Sequence, residues 1–208
     1  MIVVVQQHNL NRYAQLIDQM FRLRARIFGE LLKWDVRVVN GRERDKYDEQ
    51  SPVYIIYTDE AGCEIKGSLR LLPTTGPTLL ADVFADTVPD AAHLSAPTIW
   101  ECSRFCLHEK ILNGGRDAML FAFTVLLVAL GDVAIRAGAE SIIGNFDAAM
   151  LRLYQRLGCE VEVLGSTLRY GHPVYLGLHP ISETIVARLK ERLKNPAAVF
   201  AEAQMAIA

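Results

Sequence analysis

Arg24, Arg70 and Arg104 each stand inside an otherwise apolar run, in MFRLRARIF, GSLRLLP and WECSRFCL. A guanidinium keeps its charge at any ordinary pH. On a buried face it must find a carboxylate, carbonyl oxygens or an anionic ligand, or open onto a cavity. Candidate acids are Asp45 and Asp48, three apart in RERDKYD, and Glu101, three before Arg104. A carboxylate among apolar neighbours is almost never fully buried unless it is paired. A guanidinium fork is suited to hold a carboxylate. With Trp34 and Tyr47 in the same polar stretch, these residues read as the wall of a pocket for a charged small molecule. The competing reading is structural. Arg24 then snorkels to the surface, the aspartates cap and turn, Arg70 faces solvent near a strand end, and Glu101 and Arg104 are separate ion-pair residues. The residues by themselves leave both readings open.

The elements that must position these groups follow from periodicity. Tyr13, Leu16, Ile17, Met20, Phe21, Ile27, Phe28 and Leu31 recur at spacings of three and four. This predicts an amphipathic helix from Leu10 to Leu31 with Arg24 on its apolar face, while Arg22 and Arg26 point elsewhere. The charged stretch 34–50 is long for a connection, and such loops often carry function. Pro52 opens a strand, VYIIYT, and Asp59 to Gly62 turns it into a second strand from Cys63 to Leu72, making an antiparallel hairpin. Ile99–Leu107 is apolar and aromatic enough for a central strand. An offset of three puts Glu101 and Arg104 on opposite faces of a regular strand, so they share a site only if the strand is bulged.

A buried helix is expected from Arg116 to about Ala137, after the turn KILNGGR. Further strands are expected at Glu140–Asn145, Cys159–Leu164, Thr167–Tyr170 and Val174–Leu178. Asp147 is placed to cap a helix that stops at Gly158, and Ser182 to cap a last helix running to Lys194. Leu79 to Phe84 reads as a short helical turn. The expected fold class is α+β, an α/β/α sandwich with one mixed, mostly antiparallel sheet flanked by helices. The chain reads as a single domain, 1–208, with an alanine-rich tail from about 196 that is frayed or docked.

Composition narrows the classes. A net charge of −2 over 208 residues gives no bulk electrostatic case for nucleic acid. The N-terminus lacks the basic region of a signal peptide, and the apolar run Ala118–Leu130 is short for a membrane span, so a cytoplasmic protein without a span is expected. The four cysteines form no CxxC pair and are expected to be buried free thiols. The five histidines show no ligand spacing, so no metal site is expected.

As an ordered set, Arg24, Phe28 and Trp34 in RLRARIFGELLKW, Asp45 and Asp48 in ERDKYD, Arg70 in GSLRLLPT, Phe84, and Glu101 with Arg104 in WECSRF resemble the signature of the acyl-homoserine lactone synthases. These are the autoinducer synthases of bacterial quorum sensing. The match runs from Arg24 to Arg104 and continues less distinctively through FDAAMLRLYQRLG. The resemblance implies a fold related to the GNAT N-acetyltransferases. It also implies a reaction that joins an acyl thioester, on acyl carrier protein or coenzyme A, to S-adenosylmethionine. S-adenosylmethionine is then a substrate and no cofactor is expected.

On this resemblance the expected catalytic residues are Glu101 as base with Arg104 and Arg24. The expected S-adenosylmethionine site is Arg24, Phe28, Trp34, Asp45, Asp48, Arg70, Phe84 and Arg104. In it Arg104 or Arg24 holds the substrate carboxylate, and the aromatic rings and aspartates hold its cationic groups. Ser103, Phe105, Phe123, Leu126, Phe146, Met150 and Leu153 are the expected acyl pocket. The segment Ile142–Asn145 has no threonine, which disfavours a 3-oxo chain. Arg152, Arg156, Lys110 and Arg116 are candidates for docking an acidic carrier protein or the phosphates of coenzyme A. The alternative is a GNAT-type N-acyltransferase that uses acyl-coenzyme A on another amine. Its phosphate loop would be the degenerate stretch Lys110–Gly115.

Overall fold

The computed structural model describes residues 1–88, 90–193 and 200. Its strands are β1 (Ile2–Val5), β2 (Val38–Val39), β3 (Arg42–Glu43), β4 (Val53–Thr58), β5 (Ile65–Pro73), β6 (Ile99–Leu107), β7 (Ser141–Asp147), β8 (Glu162–Thr167) and β9 (Val174–Pro180). Its α-helices are α1 (Ala14–Arg24), α2 (Leu79–Asp82), α3 (Glu109–Leu112), α4 (Arg116–Arg136), α5 (Ala148–Leu157) and α6 (Glu183–Lys190). Seven strands form one sheet in the order β1-β4-β5-β6-β7-β9-β8, and β2 and β3 pair apart from it. All pairs in the large sheet are antiparallel except β6 with β7. The expected mixed, mostly antiparallel sheet is therefore present.

Alternation along the central strands splits the core in two. Val53, Ile55, Leu69 and Leu71 face α4, where Phe123, Val125, Leu126 and Leu130 cover them together with Tyr154 and Leu157 of α5 and Val186 of α6. Tyr54 and Ile56 face the other way, against Leu16, Ile17, Met20 and Phe21 of α1. Farther along that second face, Leu80, Val88 and Leu94 of the segment after β5 cover Ile143 and Leu176. The result is three layers, helices on both faces of a sheet. Among the described residues, α4 alone has the length and apolar composition of a membrane span, but most of it is buried as the core helix.

Several expectations need correction. The predicted helix Leu10–Leu31 is three pieces: a 3₁₀ stretch Gln7–Tyr13, then α1, then a π-helical stretch Ala25–Leu31. The wider π turn rotates its end off the apolar face, and Leu31 is 57% exposed. The long loop 34–50 contains the β2–β3 hairpin and a 3₁₀ turn, Lys46–Glu49. The second strand of the predicted hairpin starts at Ile65, because the Asp59 carboxylate binds the amides of Cys63 and Glu64 and keeps them in the turn. Cys63 is accordingly exposed, whereas Cys106 is buried. Residues 168–170 are not a strand; β8 ends at Thr167. The caps at Asp147 and Ser182 are formed as expected, and Gly158 ends α5 with a φ of +69°. Lys194 and most of the expected tail 196–208 lie outside the described residues.

Candidate active site

The three arginines converge. Arg24, at the C-terminal end of α1, and Arg70, in the middle of β5, are 1% and 0% exposed. Arg70 is thus a central buried residue, not the solvent-facing one that the structural reading allowed. It points to the α1 face because its neighbours Leu69 and Leu71 take the α4 face. Arg104 reaches the same face through a bulge. Arg70 pairs with Ser103 but Ser68 pairs with Cys106, so β6 carries one extra residue between them. Arg104 takes a φ of +54° there. Ser103 and Arg104 consequently both turn toward α1, and Glu101 and Arg104 share a face despite their offset of three.

Their carboxylate partners come from the loop after α1. Arg24 spends its fork on Asp48, at 2.8 and 2.9 Å, and its Nε on Glu43 at 2.5 Å. Arg70 donates to Asp45 at 2.5 and 3.0 Å, to Asp48 at 2.9 Å and to Ser103 Oγ at 3.1 Å. Arg104 Nη2 lies 3.0 Å from Glu43 and 2.9 Å from Asp45. Tyr54 Oη donates to Asp48 at 2.8 Å. The loop backbone is fixed by the same acids: Asp48 accepts from the Asp45 amide at 2.9 Å, and Asp45 from the Tyr47 amide at 3.0 Å. Three guanidiniums thus meet three carboxylates, and each charge is shared by at least two partners. Burial alone would raise the Asp48 pKa. Hydrogen bonds from Arg24, the charges of Arg24 and Arg70 and the Asp45 amide instead hold it well below the ordinary carboxylate range.

Glu43 has no part in the reading from sequence. Its side chain is fully buried and joins Arg24 to Arg104. Charge counting could have found it, since three buried guanidiniums need a third acid. Asp45 lies two residues on in an extended stretch, so both side chains share a face.

Glu101 is 2% exposed and stands apart from the ion pairs. Its oxygens accept from the amides of Leu79 and Leu80 at 2.9 and 2.7 Å, the free N–H groups at the start of α2. Burial pushes its pKa up, against the pull of those amides and of Arg70 and Arg104. A tie runs from α2 back to the ion network. Tyr47 Oη donates to Asp82 at 2.9 Å, and the Tyr47 ring lies 5.4 Å from the Arg70 guanidinium. Phe84 follows α2 and packs with Tyr47, Leu72 and Leu79. Phe28 and Trp34 stack at 5.1 Å, with the Arg104 guanidinium 5.3 Å from the Phe28 ring. Trp34 is 37% exposed.

The expected acyl pocket is divided. Ser103 accepts from Arg70 on the charged face, so the bulge takes it away from Phe105, which packs against the α4 core. Phe105, Phe123, Tyr154 and Phe146 form a chain of rings with centroid separations of 4.6, 5.6 and 5.2 Å, and Met150 and Leu153 pack beside them. Leu126 packs against the core under Gly67 of β5. Tyr154 and His179, 4.6 Å apart, join this apolar set without having been expected in it. Pairing of β6 with β7 stops at Glu101 and Ile143 although both strands run on. Arg152, Arg156, Lys110 and Arg116 are exposed, as a docking role requires.

Residues 7–189 match the family described as Autoinducer synthase. The chain belongs to the autoinducer synthase family. An acyl-homoserine-lactone synthase of Rhizobium etli is 35% identical over 94% of this chain and 91% of its own length. Among solved structures, a CoA-dependent acyl-homoserine lactone synthase, BjaI, with SAM and isopentyl-CoA is 28% identical. It covers 92% of this chain and 88% of its own, with a TM-score of 0.79. TofI in a ternary complex with an inhibitor and MTA is 29% identical, covering 95% of this chain and 99% of its own, with a TM-score of 0.76. The fold of this autoinducer synthase family member is GNAT-like, and the chain is an acyltransferase.

Proposed function

We propose that the chain is an acyl-homoserine lactone synthase that joins an acyl thioester to S-adenosylmethionine. The observation that carries the reading is Glu101, a buried carboxylate with a raised pKa beside three neutralised guanidiniums, at the point where β6 and β7 part. In the reaction the methionine amine loses a proton to Glu101, directly or through water, and attacks the thioester carbonyl. The thiolate leaves and an amide forms. The methionine carboxylate then attacks its own γ-carbon, the C–S bond breaks, and methylthioadenosine departs as the lactone closes.

The proposed S-adenosylmethionine pocket lies between Phe28, Trp34, Phe84 and the network. Counting three arginines against Glu43, Asp45, Asp48 and Glu101, the site carries one surplus negative charge. That complements a substrate bearing both a sulfonium and an amine. The filled fork of Arg24 changes its role. With Asp48 and Glu43 on all three of its nitrogens, Arg24 positions the loop, and Arg104, the more exposed of the three arginines, is left to meet the substrate carboxylate. The proposed acyl site lies beyond the last β6–β7 pair, where the chain would insert among Phe105, Phe123, Phe146, Met150, Leu153 and Tyr154.

The test is incubation of the purified chain with S-adenosylmethionine and panels of acyl-carrier-protein and acyl-coenzyme A thioesters, read by mass spectrometry. The expected result is methylthioadenosine and acyl lactone in equal amounts, with the best thioester naming the donor. An acylated amine without methylthioadenosine would refute the lactone synthase reading in favour of an N-acyltransferase.

A further inference from the structure

The turn between β8 and β9 grips the segment that follows α2. The turn closes with a hydrogen bond from the Gly171 amide to the Leu168 carbonyl at 3.0 Å, and Gly171 takes a φ of +79°. Arg169 Nη2 donates to the Val83 carbonyl at 2.7 Å and also to Tyr170 Oη. Arg169 Nη1 lies 3.6 Å from Asp86. The Asp86 carboxylate accepts in addition from Thr167 Oγ1 at 2.8 Å. The Tyr170 ring lies 5.5 Å from the Phe84 ring, tilted by 54°, with the Arg169 guanidinium 4.8 Å from the Tyr170 ring. Earlier in β8, Gly165 leaves no room for a Cβ against the carbonyl of Thr87, in the 3₁₀ turn Ala85–Thr87.

These contacts bracket Phe84. Val83 stands before it, Asp86 after it, and Tyr170 meets its ring. The ring also packs with buried Tyr47, Leu72 and Leu79, whereas Tyr170 is 40% exposed. The Arg169–Asp86 pair is exposed and adds little stability by itself. What the contacts share is the residue they fix. A partly buried phenylalanine otherwise has several rotamers open to it. Holding one of them before a ligand arrives removes that ordering cost from binding. The start of α2 is held separately, by the Glu101 carboxylate on the Leu79 and Leu80 amides and by Tyr47 on Asp82. The turn therefore acts on Phe84 and not on Glu101.

We propose that the β8–β9 turn positions Phe84 for S-adenosylmethionine, with Tyr170 supporting the ring and Arg169 and Thr167 holding the backbone on either side of it. The turn thereby sets the affinity for S-adenosylmethionine and for methylthioadenosine. This inference rests on the proposed pocket in which Phe84 is one wall. It adds to that pocket a support from the far edge of the sheet.

The experiment is calorimetric titration of S-adenosylmethionine and of methylthioadenosine into the purified chain and three variants, with kcat and both KM values measured alongside. Tyr170→Ala is expected to weaken both ligands about two- to tenfold, the worth of one aromatic pair. Its KM for S-adenosylmethionine should rise while its KM for the acyl thioester and its kcat stay near the parent values. Tyr170→Phe keeps the ring and should restore the parent affinities. Gly165→Ala leaves the side chains of the turn intact but pushes β8 off Thr87, and should weaken the same two ligands. Unchanged affinity in Tyr170→Ala or Gly165→Ala, a loss in Tyr170→Phe equal to that in Tyr170→Ala, or an equal rise in both KM values would each overturn the proposal. A parent chain that binds neither ligand would overturn the lactone synthase reading and this inference with it. Normal binding by the parent with unchanged variants would overturn this inference alone.

Discussion

Replacing Glu43 by glutamine tests whether the arginine cluster is a balanced unit. Glu43 is fully buried and is the one carboxylate shared by Arg24 and Arg104. Glutamine keeps the shape but removes the charge, and it presents an amide NH₂ to guanidiniums that need acceptors. Arg24 keeps Asp48, and Arg104 keeps Asp45. Three buried positive charges then face two negative ones. Removing one partner of a buried pair costs about 3–5 kcal/mol, because the remaining charge is left desolvated. For a chain of this size that is a fall in Tm of about 6–20 °C. The assay is urea unfolding followed by tryptophan fluorescence, with thermal unfolding as a second probe. Activity should fall as well, because Arg104 loses the partner that fixes it at the bulge. A double-mutant cycle with Arg104→Gln should show coupling of about 0.5–3 kcal/mol, as expected of residues in one network. A loss of under about 1 kcal/mol would refute the reasoning. It would mean that Arg24 and Arg104 are balanced without the Glu43 charge.

Three further outcomes follow from the same geometry. Glu101→Gln should lower kcat by about 10²–10⁴ with S-adenosylmethionine binding nearly kept, measured by turnover and calorimetry; a full-rate variant would remove Glu101 as the base. Asp48 has its folded pKa depressed, so its stabilisation is complete above the unfolded value of 3.8 and is lost as pH falls through and below it. Asp48→Asn should therefore be less stable at neutral pH and show a flatter acid limb in pH-dependent urea unfolding. A Cβ on Gly177 would lie 2.5 Å from the Phe146 ring. Gly177→Ala should displace that ring toward the proposed acyl site and shift thioester preference toward shorter chains, and an unchanged chain-length profile would take Phe146 out of that site.

The parts of this site legible in the sequence were the residues whose chemistry conflicts with their surroundings. Arg24 and Arg104 stand out because a guanidinium in an apolar run demands an explanation. Periodicity then supplies the layer each belongs to, and the order of strands and helices follows from the same patterns. Arg70 was harder, since an arginine within a strand is equally at home on an edge. Only the pairing of β5 between β4 and β6 makes it central. Glu43 was hidden for the opposite reason: in RERDKYD a glutamate looks like every other solvated charge, and its burial depends on the β2–β3 hairpin folding under α1. The π-helical end of α1 and the bulge at Arg104 are one-residue departures from a regular period. Periodicity has no signal for them, because both are imposed by tertiary contacts. The bulge nonetheless decides the chemistry. Without it Ser103 and Arg104 would point to opposite faces, and Arg104 would enter the apolar layer beneath the sheet, where no carboxylate waits for it. A non-glycine residue at a φ of +54° costs of order 1–3 kcal/mol. The contacts of Arg104 with Glu43 and Asp45 are what hold that conformation, so strain at the bulge and charge balance in the network are two sides of one arrangement.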